Sequence, residues 1–324
     1  MSMSSSVQDQ PQAVLERIIY QVEKVIVGKK EVIGKPLVAM LCGGHVLLED
    51  VPGVGKTMLV RALARTVDGN FKRIQCTPDL LPSDLTGVSI YNQRTGEFEF
   101  RPGPSLAHIV LADELNRTSP RTQAAMLEAM EEKRITVDGT TYPLPEPFFI
   151  LATQNPVDFE GTFPPPEAQL DRFLLRLRLG YPELRDEIEM LNRMEEAFPL
   201  AQVRTVLLKE EFVQLQKAAR GVHVDETIKQ YIVQLTSATR NHPEVALGAS
   251  PRATVALMRA AQAQALLSGR NYVIPDDVKA LAVPVLAHRL LLAPSAQLSE
   301  RPAEAIVASL VAGTPVPVRR TAAG

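Results

Sequence analysis

The chain has 324 residues, enough for one large or two ordinary domains, with 45% hydrophobic and 22% charged side chains and a formal net charge of −2. That balance fits a globular protein without a global electrostatic pull toward nucleic acid, and no apolar run approaches the ~20 residues a membrane span needs. Two cysteines, Cys42 and Cys76, argue against a disulfide framework and for a reducing compartment, so the cytoplasm is the expected location.

Residues 1–12 are polar, lack the apolar stretch of a signal peptide and read as a flexible tail. From 13 to 182, helical stretches alternate with short apolar runs at 45–48, 71–76, 108–112, 148–153 and 173–179. Several of these runs are almost wholly apolar, as strands covered on both faces of a parallel sheet must be. An open α/β sheet with right-handed crossovers is therefore predicted, with ligands beyond the carboxyl ends of its strands.

The first strand runs into Asp50-Val-Pro-Gly-Val-Gly-Lys-Thr57, which reads as a phosphate-binding P-loop. Gly53 and Gly55 would let backbone N–H groups wrap phosphates, and the following helix would add its N-terminal dipole. Lys56 would reach the β- and γ-phosphates and Thr57 would ligate Mg²⁺. The general pattern places glycine where this chain has Asp50, whose side chain must point away from the phosphates. A surface turn with a solvated lysine is the bland alternative.

Two β-hairpins are predicted next, at 88–100 around Arg94-Thr-Gly96 and at 134–142 around Asp138-Gly139, a favoured two-residue turn pair. Between them, the strand at 108–112 ends in Asp113-Glu114. Phosphoryl transfer needs a metal to neutralise charge and a group to position the attacking water. Asp113 would hold Mg²⁺ through its water shell and Glu114 would polarise the water; a polar strand end or helix cap would look the same. The strand at 148–153 leads to Asn155-Pro156, where Asn155 is the candidate to hydrogen-bond the γ-phosphate or the water, although Asn-Pro is also a common turn. A proline run then feeds a short helix ending at Asp171-Arg172. An arginine held there suits insertion into a neighbouring subunit's site, the alternative being an ion pair with Asp171 or Glu167.

Beyond 182 the composition shifts to Ala, Leu, Met, Gln and charged residues at helical spacing, and a smaller, all-helical domain is predicted over 183–312. Its strongest helix covers 253–267, a further helix starts within 273–277, and 313–324 reads as a loose tail. Ser250 suits the cap and Pro251 the first turn of the long helix. Arg252 there opposes the helix dipole and needs an anion, for which the γ-phosphate would serve. The five histidines have no ligand spacing, and His45 and His108 read as structural.

The ordered set resembles the AAA+ ATPases and, within them, the MoxR family. It consists of Leu48-Glu-Asp-Val-Pro-Gly-Val-Gly-Lys-Thr57, Ala112-Asp-Glu-Leu-Asn-Arg117, Thr122-Gln-Ala-Ala-Met-Leu-Glu-Ala-Met-Glu-Glu132, Ala152-Thr-Gln-Asn-Pro156, Pro166-Glu-Ala-Gln-Leu-Asp-Arg-Phe173 and Gly248-Ala-Ser-Pro-Arg252. The resemblance covers nearly the whole chain apart from the tails, and in this family the Asp50 departure looks usual. It implies a Walker A loop in which Pro52, Gly53, Val54, Gly55, Lys56, Thr57 and Met58 hold nucleotide, and a Walker B pair, Asp113 and Glu114. It further implies sensor-1 Asn155, arginine finger Arg172 and sensor-2 Arg252, with Val27 and Gly28 against adenine. The hairpins, about 86–102 and 133–143, match the family's helix-2 and pre-sensor-1 inserts. The implied fold is an αβα core with strand order 5-1-4-3-2 and a C-terminal all-helical lid.

The implied function is Mg²⁺-dependent ATP hydrolysis that drives chaperone-like remodelling or maturation of client proteins. ATP is expected between core and lid of a hexameric ring, with the next subunit donating Arg172. Family members act with partners carrying von Willebrand factor A domains. Two rivals stay open. A nucleic-acid-stimulated motor would need basic hairpins, but Arg94, Arg101, Lys133 and Arg134 are interleaved with Glu97, Glu99, Glu131 and Glu132, so no nucleic acid is expected. A non-hydrolysing nucleotide-gated scaffold would have no use for Glu114.

Overall fold

Five parallel strands form the centre of the computed structural model, which describes residues 10–50, 53–155, 162–196, 199–298 and 301–316. From one edge to the other they are Phe71–Gln75, Ile109–Asp113, Phe149–Gln154, Val46–Glu49 and Leu175–Leu177. Counted in chain order from the opposite edge this is 5-1-4-3-2, the expected order. The register sets Gln75 beside Asp113 and Glu49 beside Gln154, so the carboxyl ends of four strands finish level.

Successive side chains in a strand face opposite sides, and here both sides are buried. Val46, Leu48, Ile109, Leu111, Phe149 and Leu151 belong to one core, while Leu47, Val110, Ala112, Ile150 and Ala152 belong to the other. Helices Pro11–Glu23, Lys30–Cys42 and Lys56–Thr66 contribute to the first core, and Pro120–Glu132 covers the second through Met126, Leu127 and Met130. Each aliphatic side chain so buried stabilises the fold by roughly 1.5–3 kcal/mol.

The last strand is shorter than its apolar run. Arg289 donates to the carbonyls of Phe173 and Leu174 (2.7 and 3.3 Å), replacing ladder partners at one end. At the other end the N–H groups of Leu179 and Gly180 are taken by the Asp50 carboxylate.

The hairpins pair Gly87–Asn92 with Glu97–Pro102 and Arg134–Val137 with Thr140–Pro143. Asp138 and Gly139 both have positive φ (50° and 79°), as the tight turn demands. Phe100 and Tyr142 stack with ring centroids 4.0 Å apart and join the two hairpins.

The C-terminal region is built on helices Leu184–Glu196, Lys209–Gly221, Glu226–Arg240, Pro251–Leu267, Pro275–Leu286 and Ala303–Gly313. It is not wholly helical: Val245–Leu247 pairs antiparallel with Leu291–Leu292, and a β-bridge joins His223 to Tyr272. These connecting segments run side by side and satisfy each other's backbone groups, for example Ala293 N–H to Glu244 carbonyl at 2.9 Å. Pro251–Leu267, with many buried alanines, packs against Lys30–Cys42, so one apolar core runs through both regions. Within the stretch read as an N-terminal tail, Pro11 and Gln12 already belong to the first helix, Pro11 suiting its first turn. Among the described residues no helix is long and apolar enough to cross a membrane.

Candidate nucleotide site

The carboxyl ends of the strands open into a cleft of about 400 Å³ lined by Gly53, Gly55, Lys56, Thr57, Met58, Asp113, Glu114 and Asn155. Three motifs separated by up to a hundred residues thus converge because their strands are neighbours in the sheet. Gly53 and Gly55 have φ of 87° and 90°, a conformation that penalises any Cβ, and helix Lys56–Thr66 starts directly after them with its free N–H groups toward the cleft. Val54 turns away and packs on the core. Pro52 lies outside the described residues, as does Pro156.

Lys56 extends along the loop, and its ammonium donates to the Asp50 carbonyl at 2.9 Å. Burial pulls its pKa below the ordinary value, against the opposing pull of Asp113, Asp50 and Glu114. Asp113 accepts the Thr153 hydroxyl at 2.6 Å, and Thr153 in turn accepts the Glu114 N–H at 2.8 Å. Glu114 occupies left-handed backbone (φ 59°), an uncommon conformation for a non-glycine residue and one that clusters at functional sites. Gln75 and Arg117 each donate to its carboxylate at 2.9 Å, so it is oriented from two sides.

Arg73 was not anticipated: it lines the same cleft and pairs with Asp113 at 2.7 Å. Gln75, Arg117 and Thr153 also escaped the motif reading. The detectable signal was Arg73 and Gln75 at alternate positions of the edge strand, a spacing that turns both to one face. Cys76 follows that strand fully buried. Burial, then Asp113 and Glu114, push its thiol up to about 12, and burial pushes Cys42 to about 12 as well, so both are packing residues.

A magnesium ion fits this donor set. The Thr57 hydroxyl and Asp113 carboxylate are hard oxygen ligands in one cleft. Among the described residues no group of three or more His, Cys, Asp or Glu could hold a metal, so phosphate oxygens and water would supply the other ligands.

Half-buried Val27 and exposed Gly28 lie at the cleft's edge, since the neighbouring Ile26 side chain sits 3.4 Å from where a Cβ on Gly55 would stand. Gly28 opens on a separate cleft of about 500 Å³ with Tyr20, Glu189 and Arg193.

Arg172 and Arg252 do not line the phosphate cleft. They meet at Glu131, at 3.1 and 2.7 Å, with side chains 30% and 52% exposed. Asp171 is not the partner of Arg172, since it pairs with the buried Arg289 at 2.6 Å; the Glu167 side chain lies outside the described residues. An anion for Arg252 is supplied here by the chain itself, through Glu131, where the sequence pointed to an external γ-phosphate. Glu131 offers one negative charge to two guanidiniums, which leaves this cluster cationic.

Residues 45–175 match the family described as "ATPase family associated with various cellular activities (AAA)", and residues 237–310 match the AAA lid domain. The chain is 43% identical to Chaperone MoxR1 of Mycobacterium tuberculosis, over 90% of this chain and 80% of that one. It is 56% identical to the uncharacterized protein YeaC of Bacillus subtilis, over 95% and 96% of the two chains. The crystal structure of a Cytophaga hutchinsonii protein proposed to be an ATPase superposes with a TM-score of 0.89 at 39% identity, covering 97% of this chain and 99% of that one.

Proposed function

Because the chain belongs to the MoxR family of AAA+ ATPases, we propose that it hydrolyses Mg²⁺-bound ATP in the Lys56–Glu114–Asn155 cleft and uses the cycle to remodel or mature client proteins. The convergence of the phosphate loop, Asp113, Glu114 and Asn155 on one cleft carries this reading. Lys56 and the N-terminus of its helix bind the β- and γ-phosphates. Thr57 and Asp113 hold the magnesium ion, which when bound neutralises charge on the phosphates. Glu114, oriented by Gln75 and Arg117, takes a proton from the attacking water. Asn155 senses the γ-phosphate, and Val27 and Gly28 face the base.

Arg172 and Arg252 stand outside their own cleft, joined at Glu131. In our reading a neighbouring copy receives both arginines together, and a ring, six-membered as in related ATPases, repeats this head-to-tail contact. Helix Leu184–Glu196 supports it. The helix turns Asp186 toward Gly28 and bonds Arg193 to the Glu23 carbonyl at 2.7 Å, but leaves Leu184, Ile188, Leu191 and Met194 exposed. A helix that presents its polar side inward and its apolar stripe outward wants a partner, and this one lies beside the candidate base site. On the arginine face, Leu247 and Val255 are likewise exposed near Arg252. The core over 13–182 and the lid over 183–312 then move against each other, and the hairpins, with Tyr91 and Phe98 exposed at the first, act on the client. A von Willebrand factor A domain protein in the cytoplasm is the partner we expect.

Phosphate release by the purified protein with Mg²⁺ and ATP tests the reading. Glu114→Gln should lower turnover by about 10²-fold or more while ATP affinity persists. Wild-type turnover in that variant would remove Glu114 from its role, and a wild type that binds ATP without releasing phosphate would favour the gated scaffold.

A further inference from the structure

Asp50 replaces the glycine of the general phosphate-loop pattern, and the nucleotide cleft makes no use of its side chain. That side chain is buried and faces the turn through which the chain leaves the sheet for the C-terminal region. Its carboxylate accepts the N–H groups of Leu179 and of Gly180, the latter at 3.0 Å. The carbonyls of the same turn are held from the other side: Lys29 donates to Leu179, Gly180 and Tyr181, the last at 3.0 Å. Gly180 has φ of 65°, so this is a sharp bend whose shape depends on those partners. Just before the bend, Arg178 is anchored to Glu49 at 2.9 Å.

The two clamps come from the two ends of the candidate nucleotide site. Lys29 follows Gly28, at the base end. Asp50 opens the phosphate loop, and its own carbonyl is the group that holds the Lys56 ammonium at 2.9 Å. One residue thus grips the catalytic lysine with its main chain and the interdomain turn with its side chain. Phosphates that draw Lys56 toward themselves take a charged donor away from the Asp50 carbonyl, and the peptide that carries the carboxylate must readjust.

We propose that Asp50 is a positioning residue that transmits occupancy of the phosphate loop to the turn at 179–181, and through it to the orientation of the C-terminal helical region. The proposal rests on nucleotide binding in the cleft described above. It assigns the departure from glycine a purpose: glycine would leave the loop intact and the turn unheld. Coupling of this kind requires contacts that differ between the filled and empty states, and the shared Lys56 ammonium supplies the difference.

Amide hydrogen exchange tests it in the full-length protein, alone and with Mg²⁺ and either ADP or a non-hydrolysable ATP analogue. In the wild type, nucleotide should slow exchange in 53–58 and change the exchange of Leu179 and Gly180 by at least about threefold. In Asp50→Ala those two amides should exchange about tenfold faster without nucleotide, and nucleotide should protect 53–58 yet no longer alter 179–180. Asp50→Asn keeps the shape and one acceptor oxygen, so it guards against misfolding and should weaken the response without abolishing the bend. A turn held only for stability would loosen in Asp50→Ala but keep its nucleotide-dependent change. That result overturns the proposal, as does a wild type protected at 53–58 with no response at 179–180. Absence of protection at 53–58 in the wild type sinks the nucleotide reading and the coupling together.

Discussion

The phosphate cleft and the Glu131 cluster are assembled in opposite ways. In the cleft, every functional side chain sits at or just past the carboxyl end of a strand, and the ladder register brings Gln75, Asp113 and the 149–154 strand to one level. The Glu131 cluster joins the end of one helix, the turn after another and the first residues of a third, contributed by positions 131, 172 and 252. Backbone hydrogen bonds hold the first arrangement; in the second, two partly exposed ion pairs bring the groups together. The cleft is built into the sheet ladder, whereas the cluster depends on side-chain ion pairs alone.

The sharpest way to break that contrast is by mixing variants. Arg172→Ala should lower turnover by about 10³-fold if a neighbour's cleft depends on it. Mixing it with Glu114→Gln should restore part of the activity, since some clefts then meet an intact arginine. Mixing Arg172→Ala with Arg252→Ala should restore nothing, because no protomer carries both arginines. Recovered phosphate release in that second mixture would mean that Arg252 serves its own cleft.

A stability measurement separates the scaffold from the site. His45 lies buried beneath the sheet, where it accepts the Ile150 N–H at 3.0 Å and reaches the Met130 carbonyl at 3.3 Å. Burial, partly offset by that carbonyl, pushes its pKa down to about 4 from 6.5. Between those values the unfolded chain takes up a proton that the folded chain refuses, so stability falls as the pH falls, by roughly 3 kcal/mol in all from this group. Denaturant melts from pH 7 to pH 4 should show that slope, and His45→Gln should flatten it by one proton. An unchanged slope would show that His45 does not act this way.

The smallest effect is expected at Glu131. Glu131→Gln frees both arginines yet should change folding stability by under ~1 kcal/mol, because both pairs are partly exposed. A larger loss in a thermal melt would make the cluster part of the scaffold and erase the contrast with the cleft.

Much of the sheet and the cleft was legible before any coordinates. Runs such as Ile109-Val-Leu-Ala suit strands buried on both faces, as in a parallel sheet, and Gly53, Gly55, Asp113 and Asn155 follow such runs. Residues that act across the sheet were not legible. Arg73 and Gln75 look like ordinary polar positions until the register places them beside Asp113 and Glu114. The pairing of Arg172 and Arg252 with Glu131 was not legible for the same reason, since an ion pair 121 residues apart in sequence leaves no local spacing. The antiparallel pair in the C-terminal region also left no signal, because its two or three residues per strand are too few for a period.

By itself the sequence determined where the strands and glycine turns form, because burial periodicity and allowed φ are properties of a few consecutive residues. The tertiary structure alone decided what each charge faces. Asp50 is a loop residue by position and a clamp on a distant turn by geometry, and Glu131 is one more acid on a helix until two arginines reach it. Charges are stabilised by whatever lies within a few ångströms, and in a folded chain those neighbours come from anywhere along it.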